Sequence, residues 1–126
     1  MKRSPLGASC AVVATLLVAG AAAAGPSSAQ ETHLLLVLGL SGNEIYHERF
    51  HGWATTIREA AVERLGIPEA NVTWLADDPA AAPGRISERA TVGALGSAIG
   101  TIAGRAGPED RILVVLIGHG TSRDGQ

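Results

Sequence analysis

Two stretches of the chain group residues that can do chemistry. The first is Gly118-His119-Gly120. Imidazole titrates near neutral pH and passes protons in either direction. A glycine directly after it leaves a backbone N–H unshielded, able to donate to an oxygen that gains charge during acyl transfer. The second stretch is His47-Glu48-Arg49-Phe50-His51, a match to H-E-x-x-H. On a helix the two histidines share one side and can hold zinc, with the glutamate as base. The setting opposes zinc. Arg49 puts a positive charge inside the motif, Gly52 weakens the helix at once, and no third-ligand pattern follows beyond Glu59 or Glu63. The plainer account is two polar residues flanking an apolar stripe at Phe50 and Trp53.

These residues need a frame, and hydrophobic patterning supplies one. His33–Leu40 is a continuous apolar run bounded by Ser41-Gly42-Asn43, as for a strand buried on both faces. Ser41-x-x-Glu44 fits a capping box for a helix with Phe50, Trp53, Ile57, Ala61 and Leu65 on its inner stripe. Arg58, Glu59 and Glu63 fall on its wet side, and Gly66 and Pro68 stop it. Residues 71–76 form a second strand that ends at Asp77-Asp78-Pro79, and an Ala/Pro loop runs to Gly84. A second helix starts between Ser87 and Thr91, with Val92, Leu95, Ile99, Ile102 and Ala106 facing inward, and Gly107-Pro108 closes it. Residues 111–117 are a third strand, apolar on both faces, running into Gly118-His119-Gly120.

The order β-α-β-α-β predicts an α/β fold, a parallel sheet covered by helices on both faces. Ligands in such sheets bind beyond the carboxyl ends of the strands. Ser41-Gly42-Asn43, Asp77-Asp78 and Gly118-His119-Gly120 meet there, so Asn43 and Asp77 are expected to line the cleft. Three parallel strands leave much unshared edge, as for the front part of a larger domain. Thr121 and Ser122 read as turn residues.

Other motifs are weaker. Gly39-x-x-Gly42 lacks the full G-x-G-x-x-G, and Asp77 stands too far on to be a ribose acid. Gly96, Gly100 and Gly104 form a small-residue series bracketed by Arg89 and Arg105, which suggests close helix-to-sheet packing more than membrane helix pairing. An α/β-hydrolase oxyanion loop at residues 117–120 would need G-x-S-x-G downstream, and none occurs.

Taken together, Gly107-Pro108-Glu109-Asp110, the apolar strand and His119-Gly120-Thr121 resemble the histidine strand of caspase-fold cysteine peptidases, in their legumain-like branch. The earlier features agree in order: the buried first strand, the Ser41-Gly42-Asn43 turn, Tyr46 at a helix start, the Leu65-Gly66-Ile67-Pro68 turn, and a strand closing on Asp77-Asp78. The resemblance spans residues 33–124. It implies a three-layer, caspase-like sandwich with a parallel sheet, of which the β-α-β-α-β portion is present and the remainder is not. It implies that His119 handles protons, that Gly120 donates in the oxyanion hole, and that a cysteine from the end of the next strand attacks the peptide carbonyl. It also places an arginine in the pocket for the residue before the cut bond, for which Arg49 lies in the matching stretch. The sequence departs from the family in one respect: residues 30–126 contain no cysteine.

Residues 1–29 differ from the rest. A basic start (Lys2, Arg3), an uncharged stretch from Leu6 to Ala24 and small residues to Ala29 match a secretory signal peptide. Cleavage follows Ala29 or Ala24; retention as an anchor is the alternative. Cys10 lies in the apolar region and lacks a lipoprotein flank. Loss of Lys2 and Arg3 from ten basic residues leaves eight against twelve acidic, a charge of −4. No basic patch for nucleic acid is implied, and a single cysteine rules out a disulfide scaffold or a zinc ribbon.

The expectation is therefore an exported, periplasmic or extracellular protein, with residues 30–126 forming the N-terminal part of a caspase-like endopeptidase domain. It acts on a peptide or protein substrate, requires no metal or organic cofactor, and has no stable membrane insertion after signal cleavage. A non-catalytic peptide-binding module and a zinc hydrolase using His47 and His51 are the alternatives.

Overall fold

The computed structural model describes residues 29–120. The signal-peptide reading and the turn assigned to Thr121 and Ser122 fall outside these residues. In chain order the regular elements are β1 (Thr32–Leu38), α1 (Glu44–Glu59), β2 (Val72–Ala76), β3 (Glu88–Arg89), α2 (Val92–Arg105) and β4 (Arg111–Ile117). The fold is α/β, as expected: all strand pairs are parallel and the sheet order is β3-β2-β1-β4.

β1 is the centre of the molecule. It pairs with β2 on one side, Leu36 opposite Trp74, and with β4 on the other, Leu36 opposite Val115. Leu34, Leu36 and Leu38 point to one face, and Leu35 and Val37 to the other, because strand side chains alternate. On the first face Leu36, Leu38, Trp74 and Ala76 pack with Phe50 and Ala54 of α1. On the second, Leu35 and Leu75 pack with Ala94, Ala98 and Ile102 of α2. Helices thus cover opposite faces, giving three layers. The chain steps from β1 outward to β2 and β3, then returns past β1 to β4, so the strand order reverses between β1 and β4.

α1 starts one residue pair later than the proposed capping box. Asn43, not Ser41, is the N-cap, and its side chain accepts the Tyr46 N–H (3.1 Å). The inner stripe is Phe50, Ala54, Ile57 and Ala61. Trp53 and Leu65, expected inside, are 52% and 70% exposed. Trp53 sits beside the stripe and leans on the Phe50 ring. Leu65 is carried out of phase by a π-helical stretch, Ala60–Arg64, which adds a residue to the last turn. Ile67 takes the core position instead, packing against Leu34 and Ala61.

α2 turns a partly different face to the sheet: Ile102 is buried and Leu95 packs against the same cluster, as expected. Its buried residues are Ala94, Ala98 and Ile102, whereas Val92 and Ile99, expected inside, are exposed. Small alanines allow the helix to lie close over Leu35 and Leu75, and Thr91 sets its phase by capping the Ala94 N–H (3.1 Å). Gly96, Gly100 and Gly104 do not serve close packing: a Cβ on any of them would meet nothing within 4 Å.

β3 was not visible in the hydrophobic pattern. It is two charged residues, held because Ser87 and Ala90 donate backbone N–H bonds to Trp74 and Ala76 (2.7 and 2.8 Å). β4, expected to be buried on both faces, is an edge strand among the described residues. Ile112, Val114 and Leu116 face the α2 side uncovered, Leu116 at 71% exposure, because α2 lies over β1 and β2.

At the amino ends of the strands, buried Asn71 joins three elements. Its Nδ2 donates to Glu31 (2.8 Å) and its Oδ1 accepts from Arg105 (2.9 Å). Asp110 accepts from the Glu31 and Gly107 N–H groups (2.8 Å each), and these hold its carboxyl below the ordinary aspartate range.

Leu36→Ala should lower unfolding free energy by about 2–5 kcal/mol in urea denaturation, since Leu36 is fully enclosed. Val92→Ala should change it by less than about 0.5 kcal/mol. Equal effects would mean that Val92 is packed in the core.

Candidate functional site

The carboxyl ends of β1, β2 and β4 converge, as expected, at the end of the sheet where the strand order reverses. Gly39 donates its N–H to the Ile117 carbonyl (2.8 Å), which fixes β1 against β4 at the point where His119 leaves the sheet. Beside it lies a hollow of about 350 Å3 lined by Val37, Gly39, Leu116, Ile117, Gly118, His119 and Gly120. A larger hollow, about 550 Å3, lies at the opposite end around Thr32, Ile67 and Ile112; its lining includes no histidine or carboxylate.

His119 is anchored by its ring. Nε2 lies 2.8 Å from the Ser41 carbonyl. A carbonyl oxygen only accepts, so Nε2 carries the proton and donates. In the neutral ring Nδ1 is then the basic nitrogen. The Tyr46 ring meets the imidazole edge-on, with centroids 4.5 Å apart, and Phe50 stands at 5.1 Å. The first two turns of α1 thus hold the imidazole from one side. Gly42 has φ +76°, a left-handed conformation that suits glycine, and a Cβ there would sit 3.9 Å from Nε2. Among the described residues, a Cβ on Gly120 would meet nothing within 4 Å, so the backbone stands open there.

Ser41 is held in turn by Asp77. Its Oγ donates to Oδ2 (2.8 Å), and its N–H approaches the same oxygen (3.3 Å). Oδ1 accepts from His51 Nε2 (3.1 Å) and from the Asp78 N–H (2.9 Å). Burial raises the carboxyl pKa, but the bonds from Ser41, His51 and Asp78 together outweigh it and hold Asp77 below the ordinary aspartate range. Asp77 also accepts at its backbone carbonyl from Arg89 of β3. A continuous path therefore runs from His51 through Asp77 and Ser41 to His119.

The expected site residues have different fates. His119 and Gly120 lie at the hollow. Asp77 reaches the same end, but its carboxylate faces Ser41 and His51. Asn43 spends its side chain on capping α1. Arg49 is exposed, with its guanidinium 5.9 Å from the centroid of the Tyr46 ring whose edge meets His119. The His47 and His51 rings lie side by side, tilted by 43° with centroids 4.4 Å apart, and face Asp77, with His47 Nδ1 3.9 Å from Oδ2. Glu48, the base in a zinc-peptidase reading, is exposed and is not part of the His47, His51 and Asp77 group. Gly52 does not break the helix, since α1 continues through it to Glu59.

Sequence reasoning missed Ser41 as the link between Asp77 and His119, and Tyr46 and Phe50 as the ring's side wall. The available signal for Ser41 was a small hydroxyl just past a buried strand, at the end where ligands bind in such sheets.

The lowered Asp77 pKa has a pH consequence. In the unfolded chain an aspartate titrates near pH 3.9. Asp77 therefore contributes its full stabilisation above that value, and loses it as pH falls through the lower folded value. Below about pH 4, wild-type stability should fall more steeply with falling pH than that of Asp77→Asn, as measured by urea unfolding. Parallel profiles would show that the carboxylate is not held by these bonds.

Among protein-family models, curated proteins and solved structures, none matches this chain, and the chemistry of the site rests on its own atoms.

Proposed function

We propose that the chain is the N-terminal portion of an exported, legumain-like cysteine endopeptidase, acting on peptide or protein substrates in the periplasm or outside the cell. One observation carries this above the others: His119 follows an apolar parallel strand, at the carboxyl end of the sheet, with Nε2 fixed on the Ser41 carbonyl. A fixed imidazole presenting Nδ1 is suited to take a proton from a thiol and give one to a leaving amine. Gly120 follows directly, and its backbone N–H is the donor for the oxyanion. Arg49, near His119 through Tyr46, is the candidate for recognising the residue before the cut bond. Export is supported by the basic start, apolar stretch and small-residue end of residues 1–29.

The nucleophile in this mechanism is a cysteine supplied from outside residues 30–126, where none occurs. That same fact favours one rival reading, a non-catalytic module that binds peptides through the same end of the sheet.

Peptide cleavage by the full polypeptide distinguishes the two. Turnover should be abolished by thiol alkylation and reduced by His119→Ala about 10²- to 10⁴-fold, the usual share of acid–base catalysis. Peptide binding without cleavage would favour the module. Cleavage unchanged in His119→Ala would remove this histidine from the mechanism.

A further inference from the structure

We propose that His47, His51 and Asp77 form a binding site for one divalent late transition-metal ion, best suited to Zn2+. This goes beyond the peptidase reading and does not depend on it. One ligand atom from each residue lies within 4.8 Å of the other two. Two of the spacings are already short: His51 Nε2 is 3.1 Å and His47 Nδ1 is 3.9 Å from the carboxylate oxygens. Donors about 2.1 Å from a tetrahedral zinc stand roughly 3.4 Å from one another. The donor atoms thus lie within about 1.4 Å of that spacing, and the ion would take the place of the His51 Nε2 proton now shared with Asp77.

The donor chemistry fits. Two imidazoles and a carboxylate match the nitrogen and oxygen preferences of zinc and leave a coordination position open. The side chains are 25%, 12% and 13% exposed, so an ion can enter from solvent and then be sheltered. Asp77 is oriented from behind by the Ser41 hydroxyl and N–H, the kind of outer contact that holds a ligating carboxylate in place. The histidines stand one helical turn apart on α1, while Asp77 terminates β2, so the ion would clamp helix to sheet. Two cations lie nearby and neither occupies the carboxylate: the Arg49 guanidinium lies over Tyr46, and Arg89 donates to the Asp77 backbone carbonyl. No hydrolytic step is assigned to the ion, because Glu48 is not part of the group.

Calorimetric titration of the chain with Zn2+ alone, paired with thermal unfolding, tests the site. One ion should bind per chain. At a hundredfold excess over Kd, the melting temperature should rise on the order of 10 °C. Affinity should fall as pH is lowered, because protons compete with the ion for the imidazole and carboxylate donors. His47→Ala and Asp77→Asn should each weaken binding more than about tenfold, beyond the least expected from losing an outer contact. His119→Ala should leave it unchanged, which separates this site from the peptidase reading. No saturable binding, or binding by His47→Ala as tight as in the unsubstituted chain, would overturn the proposal. Undiminished binding by Asp77→Asn would reduce the site to a histidine pair on a helix and equally overturn it. Should Asp77→Asn fail to fold, His47→Ala decides, because His47 is not one of the residues of the hydrophobic clusters.

Discussion

A single carboxylate organises the functional end of this molecule. Asp77 accepts hydrogen bonds from Ser41, His51 and Asp78, and so ties the end of β1, the first half of α1 and its own strand together. An ionised group taken partly out of water is costly unless its lone pairs are filled. Here they are, and the result is a fixed Ser41 carbonyl. That carbonyl positions the His119 ring, 78 residues further along the chain. The imidazole is therefore preorganised by a group it does not touch.

The topology makes this possible. β1 is enclosed by β2 and β4 and covered on both faces, so Ser41 leaves a rigid platform. The strand order reverses between β1 and β4, and at such a point the two loops part and leave a crevice. His119 stands at its mouth. The uncovered face of β4, with Ile112, Val114 and Leu116, borders the same hollow through Leu116. α1 adds an aromatic wall through Tyr46 and Phe50, and from the same turns it brings the half-buried His47 and His51 to Asp77. Two histidine environments thus share one aspartate: one ring is set through Ser41, and the other two face the carboxylate itself.

Much of the frame was legible in local pattern. β1, β2, β4 and both helices follow from apolar runs and their punctuation, and the parallel α/β class follows from their order. What was hidden depends on neighbours far along the chain. An apolar strand reads as buried on both faces, but only the strand order shows that β4 is an edge. On α2, Leu95 and Ile102 face the sheet as their pattern suggests, but Ala94 and Ala98 complete the inner face in place of Val92 and Ile99, because small side chains let the helix lie close. The π-helical widening at the end of α1 shifted Leu65 outward without a local signal. At the site, His119 was legible from its place after a strand. The roles of Ser41 and Asp77 were not, because they arise from registering β1 beside β2. Asp77 as a partner for His47 and His51 was hidden for the same reason: a helical motif shows its own residues, not the strand end it faces.

The central claim is that Asp77, acting through Ser41, fixes the ring of His119 with its proton on Nε2. Long-range nitrogen–proton NMR of the imidazoles reads that tautomer directly. The account predicts His119 as the Nε2–H form in the neutral ring, and a mixture of tautomers in Asp77→Asn. A neutral His119 protonated on Nδ1 in the unsubstituted chain would contradict it.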